Sequence, residues 1–444
     1  MDKPQLSILM LVSKNQENVI RALDSLEELR KRIPCQLILV DTGCGEDLHR
    51  ILEERGDVVT RFTWCQNFAK ARNAGLALAT GEWFLYLDDD EYFEDIEELV
   101  LFFTSGVYRK FGFASYIQRN YRDLKGATYT DNSVGRMARI TAELRFEGCI
   151  HEYMTPLEGE GMRLKARVGH YGYVFGTEEK RREHFRRNAS LLAEMMKAEP
   201  NVLHWGYQII QEYRAIEEWA RMIPVAAWYL PIAKEQKRPD LMGTFYIGLI
   251  MAYKGLKEYD KALEWTAKTL ADNTMNPVCH AYACNLASFC SFELGDFEGA
   301  KQGALDYLDL LERLERESEG NELLNMMDAI FVGEALEQRR VEETYSILIC
   351  ADLLLGSTEA LREHMAELHW DTDNLYVYEH MAEVLILAFN TYSYRQEFYD
   401  VAKLIWSKPI LKNYFISQID AMAKQDSIDQ AIAVFRIADE EVGT

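Results

Sequence analysis

The sequence predicts an N-terminal α/β domain built on a parallel sheet, followed by an all-α solenoid of helix pairs. Two observations predict this division. Strand-length apolar runs alternate with helical patterns over the first part of the chain, which is typical of βαβ units. Beyond about residue 177 the strand patterns end, and long helical stretches recur at an interval of roughly 38 residues, which is typical of helical repeat proteins.

The composition fits two or three domains and disfavours nucleic acid as a partner. The chain has 444 residues, of which 48% are hydrophobic. Its net charge is -23 and its isoelectric point is near 4.9. A protein with this negative charge is repelled by phosphate backbones and anionic membrane surfaces. The eight cysteines are scattered without the CxxC pairs of a zinc site, and no apolar run is long enough to span a bilayer. We therefore predict a cytoplasmic protein without a transmembrane segment.

The first elements form a βαβ unit. Residues 6–12 are a continuous apolar run of strand length, residues 18–32 carry apolar positions at helical spacing, and residues 36–41 form a second strand run. The next patterns predict a helix, a strand, a helix and a fourth strand at residues 47–55, 57–62, 67–79 and 82–88.

Four adjacent acids, residues 88–91, follow the fourth predicted strand directly. Open parallel sheets bind ligands just outside the carboxyl ends of their strands. Asp41 ends the second strand, and the basic helix that opens with KARNAG at residues 70–75 precedes the acids. All three features are expected to converge on one crevice.

Two interpretations of the acids remain open. The run continues into DIEELVLFF, which has a helical pattern, and acids in the first turn of a helix complement its dipole. Alternatively, two of the acids hold Mg²⁺ or Mn²⁺, because carboxylate oxygens suit these ions, and the ion in turn holds a diphosphate. The convergence with Asp41 and the basic helix favours the second interpretation.

The second half of the chain contains helical repeats. Two stretches align as helix–turn–helix units, residues 246–270 and 286–308. In this alignment Tyr259 matches Phe297 and Ala262 matches Ala300. Weaker copies are predicted at residues 205–222 and 325–442. We therefore divide the chain into a sheet domain, a linker with the first helices, and a helical repeat domain, at residues 1–180, 181–238 and 239–444.

Five segments resemble the family 2 glycosyltransferases of the GT-A fold: SILMLVSKNQENVIRALDSL, LILVDTGCGED, NFAKARNAGLALATGEWFLYLDDDE, LRFEGCIHE and GHYGY. The resemblance covers residues 6–173 and is greatest to bacterial members with C-terminal tetratricopeptide-like helices, which include the sublancin-type peptide S-glycosyltransferases. It implies an α/β GT-A domain followed by a tetratricopeptide-like solenoid. It also implies metal-dependent, inverting transfer of a sugar from a nucleotide-sugar donor, a UDP-sugar, to a Cys, Ser or Thr side chain of a peptide or protein.

The resemblance also implies roles for individual residues of the strand ends and the acidic cluster. Asp41 is expected to bond the nucleobase, and Arg72 of the ARN element lies beside the base or the phosphates. Asp88, the first acid of the DxD motif, contacts the ribose, and Asp90, the last, binds the metal and serves catalysis in that way. Asp89 stands where the family commonly has a small residue, so Asp88 is a second candidate metal ligand, and Asp89 itself belongs to the expected donor site.

Residues on both sides of the motif complete the expected site. His151 and His170 match family positions near the diphosphate. We expect His170 to be the third metal ligand, because an imidazole suits Mn²⁺ better than Mg²⁺, and His151 to contact phosphate. Glu152 is the candidate catalytic base, and Lys70 and Arg136 are expected to neutralise phosphate charge.

Three functions fit these features. The first is a glycosyltransferase whose solenoid recruits a peptide or protein acceptor. The second has the same chemistry but acts on a cell-surface glycan or a lipid-linked precursor, with the solenoid forming a homodimer. The third is a non-enzymatic repeat scaffold with a relic sugar-nucleotide domain. The combined presence of Asp41, Arg72, Asp88 and Asp90 argues against the third.

Overall fold

The computed structural model of the protein divides into two compact units, Met1–Pro200 and Asn201–Thr444. It describes residues 3–121, 123, 125–172, 174–175, 177–316, 334–370, 378, 380–381, 383–385, 387 and 396–423. Tyr173 of the GHYGY motif lies outside these residues, as do several stretches of the predicted weak repeats at 325–442. Each unit is described by itself.

The first unit contains an eight-stranded mixed sheet in the order β3-β2-β1-β4-β7-β6-β10-β5, and β8 and β9 form a separate two-stranded sheet. The ten strands are Leu6–Val12, Cys35–Asp41, Val58–Arg61, Trp83–Asp88, Glu91–Asp95, Phe113–Tyr121, Tyr129–Arg139, Arg145–Glu147, Tyr153–Thr155 and Gly161–His170. The longer helices of this unit are α1 to α5, at Gln16–Arg32, Glu46–Arg55, Phe68–Leu76, Glu97–Thr104 and Glu178–Ala198. A short 3-10 helix at Val107–Lys110 follows α4.

The predicted βαβ region is confirmed. Strands β3, β2, β1 and β4 are parallel neighbours, and all seven residues of β1 are buried because helices or loops cover both faces of the sheet. The predicted strands and helices of this region agree with the observed ones to within three residues at each end. The apolar faces of α1, α2 and α4 pack on one side of the sheet, and α3 packs on the other.

The interpretation of residues 88–91 as a helix N-terminus is wrong. The chain turns at Asp89 and Asp90 and enters strand β5, and helix α4 begins only at Glu97. Strand β5 pairs antiparallel with β10, with Glu91 opposite His170. Glu91 and Phe93 point into the protein while Glu94 is exposed, so this acidic segment has the alternation of a strand.

The described part of the second unit is helical, and short turns join its helices from Leu203 to Arg316. Its helices within the described ranges are α6 to α15, at Leu203–Ala215, Trp219–Glu235, Pro239–Gly255, Tyr259–Leu270, Pro277–Glu293, Phe297–Arg316, Gln338–Leu355, Thr358–Glu367, Gln396–Trp406 and Pro409–Ala423. Residues 181–238, assigned from the sequence to a linker and first helices, are occupied mainly by α5, α6 and α7. The division between the units falls after Pro200.

The repeat alignment corresponds to helix pairs. Helices α9 and α11 begin at the aligned residues Tyr259 and Phe297, and the aligned Ala262 and Ala300 are fully buried. Small side chains at these positions allow neighbouring helices to approach closely. The predicted fold class, an α/β GT-A domain followed by a tetratricopeptide-like solenoid, is confirmed.

No helix in the described part of the chain is both long and apolar enough to cross a bilayer.

Candidate active site

The acidic cluster and Asp41 lie at the same edge of the sheet. Strand β1 pairs with β2 on one side, where Val12 is opposite Asp41, and with β4 on the other, where Leu11 is opposite Asp88. Two strand spacings separate Asp41 from Asp88, which is roughly 10 Å. The order of the strands reverses at β1, so this edge is the switch point where open α/β sheets bind ligands.

Arg72 is held at this edge by helix α3. Asn67 caps the helix by accepting a hydrogen bond from the backbone N–H of Lys70, and the N–H of Phe68 donates to the carbonyl of Cys149 at 2.8 Å. The helix start is thus tied to the loop after β8. This contact brings Glu152 of that loop against Arg72, whose Nε donates to its carboxylate.

Asp88 is engaged by two arginines. One carboxylate oxygen accepts from Arg72, and the other accepts from Arg136 at 2.9 Å. The two guanidinium carbons lie 4.3 and 4.4 Å from the ring centroid of Tyr86. Burial alone would raise the pKa of Asp88, but the charges of Arg136 and Arg72 outweigh it and hold this pKa well below its ordinary value. Asp88 is therefore a carboxylate in the folded protein.

Sequence reasoning missed a buried polar layer beneath this pair. Glu91 is fully buried, and its carboxylate accepts from Arg136 at 3.0 Å, from the backbone N–H of Asp88 at 2.9 Å and from the side-chain amide of Gln118. The sequence contained a signal for Gln118 and for Asn120, because both occupy inward positions of the alternating strand β6. Polar side chains at inward strand positions indicate a polar site.

Asp90 and His170 face each other across the strand ends. The imidazole Nε2 of His170 lies 3.6 Å from Oδ1 of Asp90, and Nδ1 donates to Oδ1 of Asn120 at 2.6 Å. Burial lowers the pKa of His170, but the hydrogen bond and charge of Asp90, with the charges of Glu91 and Asp88, raise it to a net value above the ordinary one. A carboxylate oxygen and an imidazole nitrogen in this arrangement suit a divalent cation.

Asp89 fixes the loop that follows β1. One oxygen of its carboxylate accepts from both the backbone N–H and the hydroxyl of Ser13, at 2.7 and 2.8 Å. The middle acid of the DxD motif is thus turned away from Asp88, toward the neighbouring loop. Burial and the charge of Asp90 raise the pKa of Asp89 to about 6, although the hydrogen bonds from Ser13 oppose this shift.

Asp41 is largely buried and is bonded on both oxygens. Oδ1 accepts from the N–H groups of Gly43 and Cys44 at 2.8 Å each, and Oδ2 accepts from Nδ1 of His49 at 2.7 Å. Burial raises the pKa of Asp41, but these bonds outweigh it and lower the pKa. The nucleobase contact expected for Asp41 remains a prediction.

Lys70 and His151 lie less deeply in the protein. The Lys70 side chain is exposed on α3 and forms no ion pair or hydrogen bond with the described residues. His151 is half-buried, with a backbone φ of 49°, in the loop that also carries Glu152. Their expected phosphate contacts remain predictions.

The edge of the sheet therefore holds two buried arginines around Asp88, beside a separate carboxylate–imidazole pair. Arg72 uses Nε and one terminal nitrogen in its ion pairs, but its other terminal nitrogen, NH1, is buried without a hydrogen-bond partner among the described residues. Buried donors are almost always bonded in folded proteins. This arrangement can hold an anionic ligand with the arginines and a cation with Asp90 and His170.

Comparison with known proteins agrees with this geometry. The family described as "Glycosyl transferase family 2" matches residues 7–132. This segment of the first unit is thus similar to a family 2 glycosyltransferase domain. This match spans β1 to β6 and the start of β7, including the acids at the switch point, and members of the family commonly use divalent metals.

Two curated relatives match different shares of the chain. The SPbeta prophage-derived glycosyltransferase SunS of Bacillus subtilis is 23% identical over 223 residues, which are 49% of this chain and 51% of the relative. A TPR repeat-containing protein of Synechococcus elongatus is 30% identical over 148 residues, 33% of this chain and 35% of the relative. The chain thus spans about half the length of SunS in this match.

Among solved structures, the apo form of RapI is 14% identical, with a TM-score of 0.37, and the match covers 59% of this chain and 71% of RapI. The S. aureus TarS structure is 14% identical, with a TM-score of 0.32, and the match covers 58% of this chain and 54% of TarS.

Proposed function

We propose that the protein is a metal-dependent, inverting glycosyltransferase that uses a nucleotide sugar, a UDP-sugar, and glycosylates a Cys, Ser or Thr side chain of a peptide or protein. The observation that carries this proposal is that NH1 of Arg72, beside Asp88 at the switch point, is buried and has no hydrogen-bond partner among the described residues. An oxygen of a bound sugar nucleotide would satisfy this donor. The family match and the name of the relative SunS support the same class of activity.

The cation of this site is assigned to Asp90 and His170. Both oxygens of Asp88 already accept from arginines, so Asp88 is suited to orienting the arginines and the ribose rather than to binding metal. The Asp90 and His170 pair offers one oxygen and one nitrogen, which suits Mn²⁺ and, less well, Mg²⁺. Such a cation supplies positive charge that stabilises the diphosphate as it leaves.

The remaining residues of the site act directly on the two substrates. Arg72 binds and orients the donor, while Asp41 receives the nucleobase at the end of β2. Lys70 and His151 contribute positive or hydrogen-bonding contacts to the diphosphate from the rim. In the reaction the bond from the anomeric carbon to the diphosphate oxygen breaks as the acceptor sulfur or oxygen attacks the opposite face of the sugar. The acceptor proton passes to a base.

Glu152 is the proposed base, and its ion pair with Arg72 gives it a second role. Its carboxylate is largely buried and accepts from Nε of Arg72, so it orients the guanidinium in the free protein. To receive a proton, the carboxylate must give up part of its contact with Arg72 and contact the acceptor instead. A thiol acceptor, with an ordinary pKa of about 8.5, needs less help from a base than a hydroxyl does.

The helical unit is proposed to hold the acceptor. Stacked helix pairs present extended surfaces that commonly bind peptides or a second copy of the chain. None of the eight cysteines, all of which lie within the described residues, forms a disulfide, which fits the proposed cytoplasmic location. A homodimer through the helical unit is the alternative use of the same surface.

The deciding experiment measures nucleoside diphosphate released from a panel of nucleotide sugars with Mn²⁺. Wild type should release UDP from one UDP-sugar, and the Asp90→Asn variant should not. Glu97→Gln is the matched control, since it also removes one carboxylate but breaks only the ion pair with Arg32 on the surface. Release from no sugar nucleotide, or equal release by wild type and Asp90→Asn, contradicts the proposal.

A further inference from the structure

A second group of metal-binding side chains surrounds the loop after β2. Asp41, Cys44 and His49 each offer one ligand atom, and these three atoms lie within 4.8 Å of one another. Asp41 and His49 are buried, and Cys44 is half-buried. The three donors are a carboxylate oxygen, a sulfur and an imidazole nitrogen. The sulfur distinguishes this donor set from the oxygen and nitrogen of the Asp90 and His170 pair.

The loop between β2 and α2 holds these side chains close together. Gly43 has a φ of 130°, a conformation that L side chains rarely adopt, and this turn directs its N–H and that of Cys44 to Oδ1 of Asp41. Nδ1 of His49, from the first turn of α2, donates to Oδ2 of Asp41 at 2.7 Å. A cation that replaces the hydrogen bond between His49 and Asp41 would meet three ligands on one short segment.

The surrounding charge favours a cation. Among the described residues, the guanidinium of Arg61 lies beside the group: its Nε is 3.4 Å from Nε2 of His49 and 3.7 Å from Oδ2 of Asp41, and its terminal nitrogen is paired with Glu46 at 2.9 Å. Glu53 lies 3.7 Å from Nε2 of His49. The carboxylates of Asp41, Glu46 and Glu53 outnumber the guanidinium of Arg61, so these acidic and basic side chains together carry a net negative charge.

We propose that Asp41, Cys44 and His49 form a binding site for a thiophilic divalent cation of the Zn²⁺ class. Thiolate and imidazole ligands select Zn²⁺ over Mg²⁺ and Mn²⁺, and three protein ligands leave a fourth tetrahedral position for water.

The chemistry of Cys44 sharpens this selectivity. A metal ion binds cysteine as the thiolate, and a thiophilic ion binds a thiolate more strongly than a hard ion does. Mn²⁺ supplied for the Asp90 and His170 pair is therefore expected to bind this group weakly.

Occupation of this site should oppose donor binding. Asp41 is the residue proposed to receive the nucleobase. Its carboxylate cannot bind a cation and accept a hydrogen bond from a base N–H in the same way at the same time. This consequence rests on the proposed function, whereas the cation site itself does not. A thiophilic cation would thus act as an inhibitor distinct from the cation that supports transfer.

The site is tested with Co²⁺, which takes the place of Zn²⁺ and gives an intense absorption band when a thiolate binds it. Full-length wild type should show this band with one Co²⁺ per chain, and Zn²⁺ should abolish it. Cys44→Ser should lose the band, and His49→Gln should weaken Zn²⁺ binding by at least about 10-fold. Cys65→Ser is the matched control, because Cys65 is exposed and lies outside the group.

The outcomes separate the site from the proposed function. No band in wild type, or an equal band in Cys44→Ser with an unchanged circular dichroism spectrum, overturns the site. Calorimetry of UDP with Mn²⁺ then tests the competition: one equivalent of Zn²⁺ should weaken UDP binding to wild type and Cys65→Ser but not to Cys44→Ser. Equal weakening in all three overturns the competition. If the protein shows the Co²⁺ band but does not bind UDP, only the proposed donor site is refuted.

Discussion

Nε2 of His170 lies 3.6 Å from Oδ1 of Asp90, on the side of the ring opposite the hydrogen bond from Nδ1 to Asn120. Because the Nδ1 proton is held by the amide oxygen of Asn120, the neutral imidazole presents its Nε2 lone pair toward Asp90. A Cβ atom on Gly172 would come within 2.3 Å of this nitrogen and 2.7 Å of Oδ2 of Asp90. The backbone at Gly172 therefore packs closely over the pair.

The first prediction concerns these two metal-binding side chains. His170→Ala should remove most of the gain in UDP affinity that Mn²⁺ gives to wild type, because it deletes the nitrogen ligand. Asn120→Ala should reduce the same gain by about 10–100-fold, because it leaves the ligand in place but releases its orientation. Isothermal titration calorimetry with and without Mn²⁺ measures both effects.

The control for this prediction is His369→Ala, which removes an exposed imidazole of the second unit. It should leave the Mn²⁺-dependent gain unchanged. A full gain in His170→Ala would show that Asp90 binds the cation without the imidazole, and equal losses in all three variants would indicate general unfolding.

The second prediction concerns the buried charges around Arg136. Arg136→Met should lower the free energy of unfolding by about 3–5 kcal/mol, because it leaves the fully buried Glu91 without its guanidinium partner. Arg119→Met removes a more exposed pair with Asp131 and should cost only about 0–1 kcal/mol. Urea unfolding followed by circular dichroism gives both values. A loss for Arg136→Met no larger than that for Arg119→Met would contradict the burial argument.

The third prediction concerns pH and Asp89. Its pKa is raised to about 6 in the folded chain, against about 3.9 for an unfolded Asp. Between these values the folded chain binds more protons than the unfolded chain, so this group lowers the free energy of unfolding as pH rises from about 4 to about 6. Asp89→Asn should therefore gain stability relative to wild type across this window, measured by urea unfolding in the presence of a chelator.

Asp131→Asn provides a control of opposite sign. The hydrogen bond from Arg119 lowers the pKa of Asp131, although burial opposes this shift, so its carboxylate favours the folded state at higher pH. The Asp131→Asn variant should therefore lose stability relative to wild type as pH rises. The same slope in both variants would show that the pH dependence comes from other groups.

Much of the fold could be predicted because its first strands are locally determined. Strands β1, β2 and β4 are buried on both faces, so each is a continuous apolar run that the sequence displays directly. Strand β5 could not be predicted in the same way. Its acids precede a real helix, and its identity depends on pairing with β10, about seventy-five residues later in the chain.

The candidate site shows a similar limit. Asp41 and Asp88 end predicted strands, Arg72 lies in a predicted helix, and Asp90 comes just after a strand. The structure brings all four to one edge of the sheet. The partnership of Asp88 with Arg136 joins β4 to β7, which are neighbours only in the folded sheet. The phosphate contact expected of Arg136 remains a prediction; what the sequence does not show is its bonding to Asp88 and Glu91.

The last prediction is that the helical unit determines the acceptor and contributes little to donor chemistry. The donor-site residues from Asp41 to His170 all lie in the unit Met1–Pro200, so a chain ending at Pro200 should keep slow hydrolysis of the sugar nucleotide by water. Transfer to the true acceptor should fall by far more. Both rates are compared with those of the full chain, after circular dichroism has confirmed that the sheet unit is folded.

A chain ending at Arg238 is the informative comparison, because it keeps α6 and α7 but removes α8. The ring of Tyr229 in α7 stacks on that of Phe245 in α8 with centroids 5.7 Å apart, and the same ring fills the space beside Gly206 in α6. This chain exposes the apolar face of α7 and should aggregate more than the one ending at Pro200. Proportional loss of hydrolysis and transfer in the folded chain ending at Pro200 would mean that the helices help to build the donor site, and recruitment of the acceptor could not be their separate role.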